Sequence, residues 1–307
     1  MRSQGSNAQS TATDGAALLV GAVDMGSKNF KFVLGQKVGG IVTTELVGKE
    51  RLELGKEVTE NHGLIGAEKM AQIQQTLSRF VRHCHDRGVP KVLAIATSAI
   101  RNARNHQRVI ELARETGIAL DVADGAREGE VGYFAATGGA PDKLVSDSGS
   151  KSIQIAWEAD GSIHSHSVPV GYQLAYESFV EPESTFDETQ RNFRRFLDGN
   201  FGGLPRDTGQ FFALAANRVS AYVTGEEQRG PQRTLGRAAL HAKISELRTL
   251  SASQYRDLKS SLPGADKILP GVVFLDYMLE RSGHEEAFIS ENELPVGLIV
   301  EHFLQRG

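Results

Sequence analysis

Val20-Gly-Ala-Val-Asp24-Met-Gly-Ser-Lys28-Asn-Phe-Lys-Phe-Val-Leu-Gly35 decides how the rest of the chain is read. The apolar run Leu18–Val23 stops at Asp24. A tight Gly26-Ser27 turn follows, and then Phe30, Phe32 and Leu34 alternate with Asn29, Lys31 and Val33. The pattern is strand, short loop, strand, with a carboxylate at the end of the first strand. The turn offers backbone N–H groups and a hydroxyl to an anion, and Asp24 offers an oxygen to a metal or a water. Asp and Gly are also common in turns for conformational reasons alone. This stretch by itself therefore does not separate a phosphate loop from an ordinary hairpin.

The stretch has an echo. Asp147-Ser-Gly-Ser-Lys151 repeats the order Asp, any residue, Gly, Ser, Lys, again between strand-like runs, Lys143–Ser146 and Ile153–Ala156. A repeat in the same local context predicts two copies of one domain whose loops face each other across a cleft. Around the first copy, Ile41–Val47, Val92–Ala96 and Leu120–Ala123 read as further strands. Residues 67–85 and 105–116 read as helices, 49–55 as irregular, and 128–137 as a short helix. The second half reads as more helical: 172–180, 185–197, 239–247, 252–260, 266–282 and 296–305, with strands at 211–215 and 286–289. Residues 198–209 and 224–236 read as loops. Strands alternating with helices imply an α/β protein with mixed sheets.

The 307 residues suffice for two domains of ordinary size, and 40% hydrophobic residues can build two cores. The net charge of −4 argues against a general nucleic-acid binder. The single cysteine, Cys84, excludes an intrachain disulfide and fits a reducing, cytoplasmic setting. No apolar run is long enough to span a membrane. Residues 1–17 read as a polar, disordered tail rather than a signal peptide.

Several segments resemble the exopolyphosphatase/guanosine pentaphosphate phosphohydrolase (Ppx/GppA) family. Asp24-Met-Gly-Ser-Lys-Asn29 resembles its first phosphate loop, Asp-Leu-Gly-Ser-Asn-Ser. Ala96-Thr-Ser-Ala-Ile-Arg101 with Asn105 is similar to its Ala-Thr-Ser-Ala-Leu-Arg…Asn segment, the most specific match. Gly125-Ala-Arg-Glu128 lies where the family has Ser-Gly-X-Glu-Glu-Ala, and Asp147-Ser-Gly-Ser-Lys-Ser152 stands for its Asp-Ile-Gly-Gly-Gly-Ser loop. The resemblance runs from about residue 19 to 305. It implies two ribonuclease-H-like domains of the actin/sugar-kinase (ASKHA) superfamily with an interdomain cleft, at 18–137 and 138–295. The C-terminal helix, 296–307, is expected to pack back on the first.

The resemblance also implies roles. Glu128 is the general base acting on water. Ser27, Lys28, Asn29, Ser98, Arg101, Gly149, Ser150 and Lys151 bind phosphate, and Asp24 and Asp147 hold magnesium, which Lys28 and Lys151 partly replace. The ligand is polyphosphate or a phosphorylated guanosine nucleotide, with no nucleic acid or membrane partner and a homodimer as one expected assembly. Departures from the family pattern bear on activity. Ser150 and Lys151 replace two loop glycines, and a family glutamate falls on Gln154, whose amide is no base. The third Gly-rich loop is missing near Ala215–Arg218, and a family arginine becomes Gly264. Two readings follow: an exopolyphosphatase-like hydrolase, or a catalytically impaired regulatory protein that binds polyphosphate or an alarmone.

Overall fold

A computed structural model describes residues 17–206, 208–226 and 233–306. The expected tail, Ala17 apart, lies outside the described residues. β1 (Leu18–Met25) and β2 (Asn29–Val38) form the antiparallel hairpin around Gly26–Lys28, with Asp24 opposite Lys31. β3 (Ile41–Arg51) extends the sheet antiparallel at one edge, past a bulge at Phe32/Val33. On the other side β4 (Val92–Ala96) and β5 (Ala119–Val122) add in parallel. The order is β3-β2-β1-β4-β5.

The second sheet contains β6 (Lys143–Ser148), β7 (Ile153–Ala159), β8 (Ser162–Val168), β9 (Gln210–Leu214), β10 (Thr234–Gly236) and β11 (Glu286–Ser290), in the order β10-β11-β9-β6-β7-β8. β8-β7-β6-β9-β11 repeats the first sheet strand for strand, direction included, and β10 is an added antiparallel edge. The chain thus folds as two ribonuclease-H-like α/β domains, as the resemblance implied. Asp24 and Asp147 sit at equivalent ends of the two central strands.

Helices α1 (Leu54–Glu60), α2 (Ala67–Asp86), α3 (Ser98–Arg101) and α4 (His106–Glu115) accompany the first sheet. The periodic face of α2, Ile73, Leu77, Phe80 and Cys84, packs on Val23, Met25, Phe30 and Phe32. α5 (Gly125–Thr137), α6 (Tyr172–Phe179), α7 (Phe186–Phe201), α8 (Asn217–Thr224), α9 (Arg237–Arg248), α10 (Ala252–Ser261), α11 (Ala265–Ser282) and α12 (Leu294–Leu304) complete the chain. α11 is buried on nearly every side in the second core.

Two helices fill the space between the sheets, each against the sheet of the other half. α5 covers β6, β7 and β8, whereas α12 covers β1 and β2 through Leu298, Ile299 and Phe303. They cross at Gly297, where a Cβ would stand 2.0 Å from the carbonyl oxygen of Val131. β1 is therefore buried on both faces, Val23 and Met25 toward α2 and Val20 and Ala22 toward α12. That explains its unbroken apolar run.

The elements differ from the sequence expectation where patterns are short. Residues 49–55 are not irregular: β3 runs to Arg51, its polar residues tolerated at an edge, and α1 starts at Leu54, its single buried residue. α7 continues past Leu197 because Phe201, one turn on, is buried as well. Within 224–236, Thr234–Gly236 is a strand, and α8 precedes that segment; residues 227–232 lie outside the described residues. No helix among the described residues is long and apolar enough to cross a membrane.

Candidate active site

Both Gly-Ser loops turn their carbonyls into the scaffold. In the first, Leu52 and Glu53 N–H donate to the Lys28 carbonyl at 3.0 Å each, and Gly55 N–H donates to that of Ser27 at 2.7 Å. In the second, Tyr172 N–H donates to the Gly149 carbonyl at 2.9 Å and Gln173 N–H to that of Ser150 at 3.2 Å. The N–H groups of Gly26, Ser27, Lys28, Ser150 and Lys151 donate to no acceptor among the described residues, which leaves them for an anion. Gly171 lets α6 back onto the second loop: a Cβ there would lie 2.4 Å from the Gly149 carbonyl oxygen and 2.5 Å from the Lys151 nitrogen.

The Ala-Thr-Ser-Ala-Ile-Arg segment joins this frame. The Ser27 and Ser98 hydroxyls are 3.3 Å apart. Arg101 donates to Glu128 Oε1 at 2.5 Å and to the Ala123 carbonyl. The expected clamp and the expected base are thus paired with each other. Glu128 lies in the first turn of α5, which starts at Gly125 because Asp124 caps it, accepting from Arg127 N–H at 2.8 Å. Burial raises the Glu128 carboxyl above its ordinary range, and Arg101 opposes that rise. Asn105 is structural: its amide exchanges hydrogen bonds with the Ile65 backbone at 3.0 and 2.8 Å.

Asp24 and Asp147 line one cavity of about 200 Å³ with Lys31, Ala215, Asn217 and Glu293. Burial pushes Asp24 up to about 7. Lys31 opposes this, while Glu293, Asp147 and Glu128 add to it. Burial, followed by Glu128 and Glu293, pushes Asp147 up to about 6, against Lys31. One Asp24 oxygen, Oδ1, is buried without a hydrogen-bond partner. Lys31 Nζ is 2.5 Å from Glu293 Oε1.

Lys31, opposite Asp24 in the hairpin, is the cation lining this cavity among the described residues. Lys28 and Lys151 are exposed at their loop tips. Lys31 was legible as the residue opposite Asp24 in the hairpin. Glu293 was not, because only the chain's return from β11 into α12 brings it there. Asn29 begins β2 opposite Arg51, and Gly149 holds the second loop through its N–H to the Ser152 carbonyl at 3.0 Å.

The departures take structural form. Gln154 lies opposite Asp147, is buried, and donates to Ser152 Oγ at 2.7 Å and Ser167 Oγ at 3.3 Å. Ala215 has φ 57°, so the left-handed backbone that suits a glycine persists without one. Arg218 brings its guanidinium over Gly264, 2.7 Å from where a Cβ would sit. Among the described residues no three His, Cys, Asp or Glu side chains converge as a metal-binding group.

Residues 36–306 match the Ppx/GppA phosphatase family. The chain belongs to that family. Its fold is similar to the crystal structure of the Aquifex aeolicus Ppx/GppA member, with TM-score 0.80, 20% identity, and 95% of this chain and 99% of that chain covered. It is also similar to an exopolyphosphatase from Cytophaga hutchinsonii, with TM-score 0.68, 20% identity, and 94% and 98% coverage. At such identity the likeness establishes the fold. Within the Ppx/GppA frame, Asp24 and Asp147 line one cavity, and the Glu128 carboxyl, paired with Arg101, acts on both.

Proposed function

We propose that the protein is a phosphoanhydride hydrolase of the exopolyphosphatase type, releasing terminal phosphate from polyphosphate or guanosine pentaphosphate. The observation that carries this reading is the half-buried Glu128–Arg101 pair, Arg101 lying on the helix whose Ser98 reaches the first of two loops with free N–H groups that can surround a phosphate. Arg101 forks two phosphate oxygens when it turns from Glu128. Loop N–H groups and the Ser27 and Ser98 hydroxyls hold the others. Water attacks the terminal phosphorus, its proton passes to Glu128, and the bridging P–O bond breaks with its electrons on the shortened chain. A base raised by burial is better matched to this transfer near neutral pH.

The donor set fits a hydrated magnesium ion: two carboxylates on facing strand ends, one with an orphaned oxygen. Asp24 and Asp147 would hold it through water, and it would offset phosphate charge. Lys31 already supplies part of that charge.

Gln154 supports a second reading, a binding protein with impaired turnover, because its amide stands opposite Asp147 with no carboxylate of its own. A phosphate-release panel with polyphosphate, guanosine pentaphosphate and ATP, in magnesium, tests both. Release by the wild type that Glu128→Ala abolishes supports the hydrolase. No release from any of the three, with binding retained, supports the second reading and overturns the first.

A further inference from the structure

The two sheets end in four edge strands, which differ in how they are protected. β5 and β10 have four and three residues, too short to template another strand. β8 exposes Ser162, His164 and His166, all polar. β3, with eleven residues, is the longest, and its two halves are unlike. From Gly48 to Arg51 it carries Lys49, Glu50 and Arg51 behind a bulge in which Val47 is the extra residue. Charge and a bulge are how natural sheets blunt an edge. From Ile41 to Leu46 there is no lysine, proline or bulge. Ile41 is 69% and Leu46 63% exposed, the two most exposed large apolar side chains among the described residues.

The unprotected half has two distinct faces. Val42, Thr44 and Leu46 stand on the α12 side, because Leu46 faces Val33, which packs with Leu298 and Ile299. There Val42, Thr44, Val296, Val300, Phe303 and Leu304 line a groove of about 390 Å³. Thr43 and Glu45 stand on the other side, where Arg87 reaches Glu45 at 3.6 Å.

We propose that Val42–Leu46 pairs antiparallel with the same residues of a second copy of this chain, joining the two first sheets edge to edge about a two-fold axis at Thr44. A second copy is the fitting occupant because the strand is complementary to itself in this register. Thr44 faces the partner's Thr44, Val42 the partner's Leu46, and Thr43 the partner's Glu45. Thr–Thr and apolar pairs stabilise a ladder, and no like charges stand opposite each other. An axis at Glu45 sets two carboxylates face to face, and an axis beyond it runs into the bulge. Charge therefore selects the register. The contact lies at the end of β3 far from the Gly26–Lys28 loop, since Ile41 faces Val38 whereas Arg51 faces Asn29. Both clefts stay open. A ladder of about five residues is a small interface, so the dimer forms in a concentration-dependent way.

Sedimentation velocity of the full chain from about 1 to about 100 μM should show a species of twice the 33.3 kDa chain that grows with concentration. Thr44→Lys, at an exposed position, sets two ammonium groups opposite each other and should weaken the dimer about tenfold. Cysteines read the register. Thr44→Cys should give a disulfide-linked dimer on oxidation with diamide, because directly opposite Cα atoms lie within about 5.5 Å. Thr43→Cys should not, since the partner's Thr43 is a diagonal neighbour about 7–8 Å away. The native Cys84 is buried, so wild type is the unlinked control. A dimer that Thr44→Lys weakens and that Thr44→Cys alone links supports the proposal. A chain that is monomeric at about 100 μM overturns it. So does a dimer that Thr44→Lys leaves unchanged, or one that Thr43→Cys links as readily as Thr44→Cys. None of these outcomes depends on phosphate release.

Discussion

Replacing Asp24 by Asn should stabilise the protein in a pH-dependent way while disabling its cleft. In the folded chain burial pushes the Asp24 carboxyl from an ordinary 3.8 up to about 7. The folded state thus keeps a proton that the unfolded state releases. The stabilisation this gives is complete below about pH 4 and is lost as pH rises through about 7. Between pH 5 and the folded value lie about two pH units, each about 1.4 kcal/mol, so the ceiling is ~2.7 kcal/mol. Water entering the open cleft reduces this, and we expect 1–2 kcal/mol, or roughly 2–5 °C in Tm for a chain of this size. Asn keeps the shape and removes the ionisation. The advantage of Asp24→Asn over wild type should therefore grow by that amount from pH 5 to pH 8. Thermal and urea unfolding without magnesium or phosphate measure it directly. A stability difference that is the same at pH 5 and pH 8, or one that shrinks as pH rises, refutes the reasoning.

Lys31→Met removes the charge that opposes burial at both Asp24 and Asp147, so both carboxyls should titrate at higher pH, read by NMR of the carboxyl carbons. Glu128→Gln should lower phosphate release by about a hundredfold or more and leave the circular dichroism spectrum unchanged. Gly297→Ala drives a Cβ to within 2.0 Å of the Val131 carbonyl oxygen and should lower stability by roughly 1–3 kcal/mol by pushing α12 off α5, measured by urea unfolding. Gly171→Ala meets the backbone of the second loop and should weaken phosphate binding more than it lowers Tm, comparing calorimetric titration with a melting curve.

Local pattern sufficed for the parts of this protein that are repeated in the chain. The hairpin at Asp24, its echo at Asp147 and the Ala96–Arg101 segment each carry their information in a few consecutive residues. Turn chemistry and strand alternation act over that range. The duplicated fold was legible there, whereas the roles of Glu128 and Arg101 came only from the resemblance to the family. α1 and α8 escaped because neither repeats a buried apolar position at helical spacing: α1 buries only Leu54, and α8 only the adjacent Val219 and Ser220. What only the tertiary structure decided is where distant segments meet. α5 and α12 each cover the sheet of the opposite half. That exchange delivers Glu293 to Lys31 and seats Glu128 beside both aspartates. Lys28 and Lys31 are three residues apart in a single hairpin, and both are cationic in the sequence. One points out at the loop tip and the other faces the buried carboxylates, because β2 pairs with β1 in the register that sets Lys31 opposite Asp24. A charge acquires its role from the desolvated groups packed around it, and packing is not written in any one segment.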